Sequence, residues 1–213
     1  MPASYHIPFC ITSLNPIKSQ LIFNISMSLD GFVAGPNHEV DQVFRWYFSG
    51  DTDYPFPGSD MVFKISKASA ALLDQAAASV GAAITGRRNF DGSQAWHGRP
   101  PLGVPHVVMT HNPPREWVKA GSPFTFVGGG IHSAVAKARE LAGGKDVVIS
   151  TPSVMQQALN AGLLDEIHID LTPVLLGEGV RLFDHLGPQP VNLEITRVVE
   201  GQGVTHLAYR VIR

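Results

Sequence analysis

The chain has 213 residues, 44% of them hydrophobic and 16% charged, with a formal net charge of −2. That is enough chain to bury a core as one large domain or two small ones, and the balance offers neither a basic surface for nucleic acid nor a polybasic block for a membrane. The single cysteine, Cys10, excludes an intrachain disulfide or a thiolate zinc site and fits a reducing cytoplasm. No apolar run reaches the ~18–20 residues of a membrane span, and residues 1–20, without a basic leader, read as an irregular extension rather than a signal peptide.

The first strand is expected over 21–29, where Leu21, Phe23 and Ile25 alternate with other residues up to Asp30-Gly31. The stretch from Gly35 to Gly58 reads as loop at both ends, with a short helix in its aromatic middle, 43–48, turning Trp46 or Phe44 inward. Residues 66–80 predict a helix capped by Ser66 or Ser69, with Leu72, Leu73 and Ala76 on one face. A buried strand follows at 81–86, a helix over 87–96, a strand over 104–111, a connection, and a strand at 124–127. Residues 131–143 predict an amphipathic helix with Ile131, Val135, Ala138 and Leu141 in register, closed by Gly143-Gly144. Then come a strand at 146–149, a helix at 152–161, a long strand over 165–176 and a hairpin about Gly201-Gln202-Gly203. Alternating strands and helices imply right-handed crossovers and a mostly parallel sheet. We expect one α/β domain over 21–213 with a mixed sheet of about eight strands.

Ligands of open α/β sheets sit beyond the carboxyl ends of the strands, so the residues just past each strand are the candidates. They are Asp30-Gly31, Gly86-Arg87-Arg88-Asn89, Thr110-His111, Gly128-Gly129-Gly130 and Ser150-Thr151-Pro152-Ser153-Val154. At Gly86 the chain turns tightly and places two arginines on a helix start, where free amides already favour an anion. In Ser150-Thr151-Pro152-Ser153 a hydroxyl can cap the helix and proline suits its first turn, leaving amides for a second phosphate. Two such helix ends on one sheet suggest a ligand with two phosphates, such as a dinucleotide. Each feature also has a plain structural reading: a helix cap, a solvated arginine pair, a glycine turn without G-x-G-x-x-G spacing, a turn aspartate. None of the nine histidines falls in an H-x-x-x-H or H-E-x-x-H pair, so no metal site is expected. There is no G-x-S-x-G element to support a serine nucleophile.

The segments "ISMSLDGFVAG", "TGRRNF", "VVMTH" and "AGLLDEIHIDLTPVLLGEGVRLF", in this order, resemble the dihydrofolate reductase-like superfamily. The branch they resemble most is the reductase domain of the bifunctional riboflavin-biosynthesis deaminase–reductase, including its stand-alone bacterial forms. The similarity spans roughly residues 21–212. It implies an NADPH-dependent reductase that passes hydride to a C=N or C=O of a small pterin-like or ribosylaminopyrimidine substrate. It assigns Gly86, Arg87, Arg88 and Asn89 to the adenosine 2′-phosphate, and Thr110, His111 and Gly128 to the adenosine half. Residues Ser150, Thr151, Pro152, Ser153 and Val154 fall to the pyrophosphate. Asp30, Leu176, Gly177 and Gly179 fall beside the substrate, with Asp30 the first catalytic candidate and Asp41 the second. The family's Gly-Gly pair is Ser150-Thr151 in this chain, so a nucleotide- or pterin-binding protein without turnover stands as the alternative. The resemblance also implies a cytoplasmic homodimer, for which strand 205–213 would supply the edge.

Overall fold

From Phe23 to Ser28 apolar and polar side chains alternate, which is the period of a strand with two unlike faces. In the computed structural model, which describes residues 19–213, this segment lies in β1 (Leu21–Ser28), near the middle of the main sheet. The chain continues through β2 (Phe32–Ala34), a 3-10 turn at Arg45–Phe48, the hairpin β3 (Thr52–Pro55) and β4 (Val62–Ile65), and helix α1 (Lys67–Ser79). Next come β5 (Val80–Gly86), α2 (Arg87–Gly92), β6 (His106–Met109), β7 (Phe124–Val127), α3 (Gly130–Ala142) and β8 (Asp146–Ile149). The chain ends with α4 (Pro152–Asn160), β9 (Glu166–Thr172), β10 (Val180–Arg181), β11 (Leu193–Gly201) and β12 (Val204–Val211).

Eight strands form one sheet in the order β11-β12-β9-β1-β8-β5-β6-β7. The six from β9 to β7 run parallel, and the closing hairpin adds β12 and β11 antiparallel beside β9. The expected single α/β domain with a mostly parallel eight-stranded sheet is what the chain forms. One face carries the main core: Leu21, Phe23, Ile84, Val107, Ile149, Ile167 and Ile169 pack against α3 and α4. The opposite face is covered by α1, α2 and the β3–β4 hairpin, with two smaller aromatic clusters around Trp46 and Phe90.

Several segments differ from expectation. The stretch read as loop after the aromatic turn holds β3, and residues 59–65, for which no element is expected, hold β4; the two pair with each other outside the main sheet. Their side chains alternate for only four residues each, too short a pattern to stand out. The helix expected over 87–96 stops at Gly92, and Gln94, Ala95, Trp96 and His97 then turn left-handed, with φ of 49, 51, 46 and 51°. The strand expected to 176 ends at Thr172. In α1 it is Ser69 that is buried, Leu72 and Leu73 are half-buried and Ala76 is exposed. Ser66 is the cap, its hydroxyl accepting from the Ser69 amide at 3.1 Å. Trp46 rather than Phe44 is the inward aromatic. The terminal strand is no free edge: β12 lies between β9 and β11, and the edge belongs to β11. Of the expected extension 1–20, residues 1–18 lie outside the described residues.

Candidate functional site

The topology opens a crevice at one place. β8 passes its chain to α4 on the main-core face, while its neighbour β5 passes its chain to α2 on the opposite face. Backbones that part in this way leave room at the carboxyl ends of the strands, where open α/β sheets hold ligands. Around that gap the structure brings the sequence-predicted residues together in two groups.

The first group lies at the ends of β5, β6, β7 and β8. The Gly86 amide donates to Thr151 Oγ1 at 3.2 Å, and a Cβ on Gly86 would lie 3.6 Å from that oxygen and 3.8 Å from Ser153 Oγ. The β5–α2 and β8–α4 turns are therefore side by side. Thr151 is the N-cap residue of α4, but its hydroxyl is spent on Gly86 and does not cap the helix. The expected hydroxyl cap is thus missing. Among the described residues the amides of Ser153 and Val154 have no acceptor, and Pro152 has none to offer. Thr151 is buried in the seam between the turns, so its bulk does not stand over the helix start. Ser150 gives its amide to the Ile84 carbonyl. Asn89 does not cap α2 either: its amide donates to Thr85 Oγ1 at 2.9 Å.

The two arginines differ. Arg87 donates from Nε to both oxygens of Asp91, at 2.7 and 2.8 Å, and from Nη1 to the Asn112 carbonyl, which ties α2 to the loop after β6. Arg88 is exposed and has no hydrogen-bond or ion-pair partner among the described residues. At the next strand ends, Thr110 donates its amide to the Val127 carbonyl and accepts from the Asn112 amide at Oγ1. A Cβ on Gly128 would lie 3.3 Å from both His111 Nδ1 and the Thr110 carbonyl, so glycine is what lets β7 end against β6.

The second group surrounds Asp30. Its Oδ1 accepts from Ser28 Oγ at 2.6 Å and from the Leu176 amide at 3.1 Å, and its Oδ2 accepts from the Gly177 amide at 2.7 Å. The Ser28 hydroxyl first, and the Gly177 amide next, hold the carboxyl down at about 2. Asp30 thus clasps the loop after β9 onto the turn after β1, as an anion. Gly179 completes the clasp: with φ of 137° it runs so close to Ala34 that a Cβ would sit 2.0 Å from that carbonyl oxygen. Asp41 does not join this group; it is exposed and makes no hydrogen bond among the described residues.

Sequence reading missed a third element. A cleft of about 290 Å³ opens at the end of β9, walled by Gln42, Arg45, Trp46, Thr172, Pro173 and Gly203. Beneath it runs a buried polar chain. Trp46 Nε1 donates to Ser26 Oγ at 2.9 Å; His206 lies edge-on to the Trp46 ring and meets Asp170 Oδ1 at 2.7 Å and Ser69 Oγ at 2.8 Å. A serine, a histidine and an aspartate in this order match the hydrogen-bonding of a hydrolase triad. Here Ser69 is fully buried in α1 and also shares a 2.9 Å bond with Ser66 Oγ, so no substrate reaches it. Asn24, Ser26 and Ser28, all on one side of β1, were the legible signal for this face. A larger hollow of about 370 Å³ lies at the other end of the sheet, before β6 and β7, among glycines and prolines around Arg99, itself paired with Asp60. Among the described residues no group of three His, Cys, Asp or Glu side chains could hold a metal ion, and no helix is long and apolar enough to cross a membrane.

The family model for the RibD C-terminal domain matches residues 19–207. The chain belongs to this family. YyaP, an uncharacterised protein of Bacillus subtilis (strain 168), is 24% identical over 202 residues, covering 90% of this chain and 95% of its own. A candidate riboflavin biosynthesis protein from Shewanella sp. PV-4 superposes with a TM-score of 0.71 at 20% identity, over 91% of this chain and 99% of its own. The Thermotoga maritima diaminohydroxyphosphoribosylaminopyrimidine deaminase/5-amino-6-(5-phosphoribosylamino)uracil reductase does so at 0.60 and 9% identity, over 92% of this chain and 57% of its own. At such identities the solved structures speak for the fold.

Proposed function

We propose that the protein is an NADPH-dependent reductase of a small heterocyclic or ribosylated molecule. The observation that carries this reading is the end of β8, where among the described residues the Ser153 and Val154 amides have no acceptor and Arg88, on the adjoining start of α2, has no partner. Helix-start amides suit a pyrophosphate, and a free guanidinium suits a further phosphate such as the adenosine 2′-phosphate. Gly86 and Gly128 let the backbone come close to such a ligand. When bound, the nicotinamide supplies the hydride. The protein's share is orientation: Asp30 holds the 176–177 loop over the strand ends, and as a fixed anion it positions rather than donates a proton.

The test is a titration with NADPH and NADH followed by nicotinamide fluorescence. NADPH is expected to bind more tightly, and Arg88→Ala to weaken it by about 10- to 100-fold, the loss of a hydrogen-bonded charge. Arg87→Ala should cost less, because Arg87 is already engaged by Asp91 and the Asn112 carbonyl. Binding of neither nucleotide sinks the reading. The alternative is ligand binding without turnover. It is favoured by the cleft at the end of β9, where among the described residues no carboxyl group lines the walls to hand a proton to a substrate. Tight ligand binding with no NADPH oxidation across a substrate panel would support it.

A further inference from the structure

We infer that the cleft at the end of β9 binds the anionic group of the substrate, a carboxylate or phosphate on a small flat body, with Arg45 as its anchor. The inference rests on the reductase reading for the word substrate, and on the cleft alone for the anion. Among the described residues the cleft's only charged wall residue is Arg45. Its side chain is exposed and makes no ion pair or hydrogen bond among the described residues, even with Asp41 four residues earlier. The nearest buried carboxylate, Asp170, is occupied by His206 at 2.7 Å and lies beneath the Trp46 and His206 rings. An arginine that faces a cleft with no acid of its own is a vacant two-pronged donor for a planar carboxylate or a phosphate.

The other walls fit the rest of such a molecule. Trp46 is held rigidly, its indole nitrogen on Ser26 and its ring stacked 4.1 Å from Tyr47, and Pro173 and Val174 complete an apolar side. Gln42 adds an uncharged donor and acceptor at the mouth. β9 runs on past the level of β8: across β1, Ile149 stands beside Phe23 and Thr172 beside Ser28, so the cleft lies about 20 Å from the end of β8, a span that an extended dinucleotide would have to bridge.

The test uses three probes on the full chain without nucleotide: benzoate, phenyl phosphate and the neutral benzamide. Binding is followed through the Trp46 indole N–H signal by NMR. At least one anion should bind about 10-fold more tightly than benzamide, and Arg45→Ala should erase that preference while Arg45→Lys keeps part of it. Which anion binds better separates a carboxylate from a phosphate ligand. NADPH affinity should be the same in Arg45→Ala as in the parent. Equal binding of benzamide, anion binding that survives Arg45→Ala, or no binding of any probe up to its solubility overturns the inference. Should the anions bind through Arg45 while NADPH does not bind at all, the anion site stands and the reductase reading falls.

Discussion

The two faces of the main sheet are built by different rules. Towards α3 and α4, β1, β5, β6, β8 and β9 present only apolar side chains, from Leu21 and Phe23 to Ile167 and Ile169. The buried polar residues of the sheet strands are Ser26, Ser28, Thr85, His106, Asp170, Thr172 and His206, and all seven point the other way. The first face is stable wherever apolar volume is filled. The second is stable only if each polar group finds its partner, since an orphaned one costs its full desolvation. The candidate cleft and the Asp30 clasp both lie at the top of that second face. The lesson is that this fold keeps stability and ligand chemistry on opposite sides of one layer.

That contrast can be broken at its strongest point by Asp170→Ala. Removing one partner of the buried pair strands His206 and should cost about 3–5 kcal/mol in urea unfolding. Ile169→Val, one residue along on the apolar face, should cost only about 1 kcal/mol. Similar losses would mean that the polar chain contributes little and the contrast is false.

A smaller effect comes from His106. Burial pushes its imidazole down from 6.5 to about 4, against a 2.9 Å contact with the Val104 carbonyl. Because the folded value lies below the unfolded one, the folded state refuses a proton that the unfolded state accepts. Stability from this group is therefore complete above about 6.5 and is lost as pH falls towards 4, by about 3 kcal/mol over that window. His106→Phe should flatten that part of the profile of Tm against pH. A profile unchanged by the substitution would remove His106 from the account.

The smallest effect sharpens the rule by its exception. Among the described residues the buried Tyr54 hydroxyl has no partner in good hydrogen-bond geometry. Burial first, and its interaction with the neighbouring Asp74 carboxylate next, push it up to about 12. Tyr54→Phe should be neutral or stabilise by up to about 1 kcal/mol, read as a rise in Tm. A fall of that size would show that the hydroxyl does find an acceptor, and that even this group obeys the rule.

Much of the site was legible because it depends on local signals. Gly86-Arg87-Arg88, Ser150 to Val154 and Thr110-His111 each follow a recognisable strand, so their arrival at one sheet edge follows from connectivity. What they do there was less legible. Thr151 looks like a cap and instead bonds Gly86, 65 residues away. Arg87 and Arg88 are neighbours of one type, and only the placement of Asp91 and Asn112 makes one a brace and leaves the other free. The cleft was invisible because its walls come from three distant segments, 42–49, 172–174 and 203.

The sequence by itself determined the chain order of the main-sheet strands and the helices between them, the parallel sheet and the two-sidedness of β1, because these rest on side-chain period, turn residues and short-range connection. Only the tertiary structure decided which polar residues meet. Ser69 and His206 are 137 residues apart and Asp170 and His206 36 apart, and no local pattern encodes their pairing. They meet because β12 returns antiparallel beside β9, with His206 opposite Asp170, and because α1 crosses that face with Ser69 turned inward. Hydrogen bonds are satisfied within about 3 Å, a distance that chain order cannot supply and packing can.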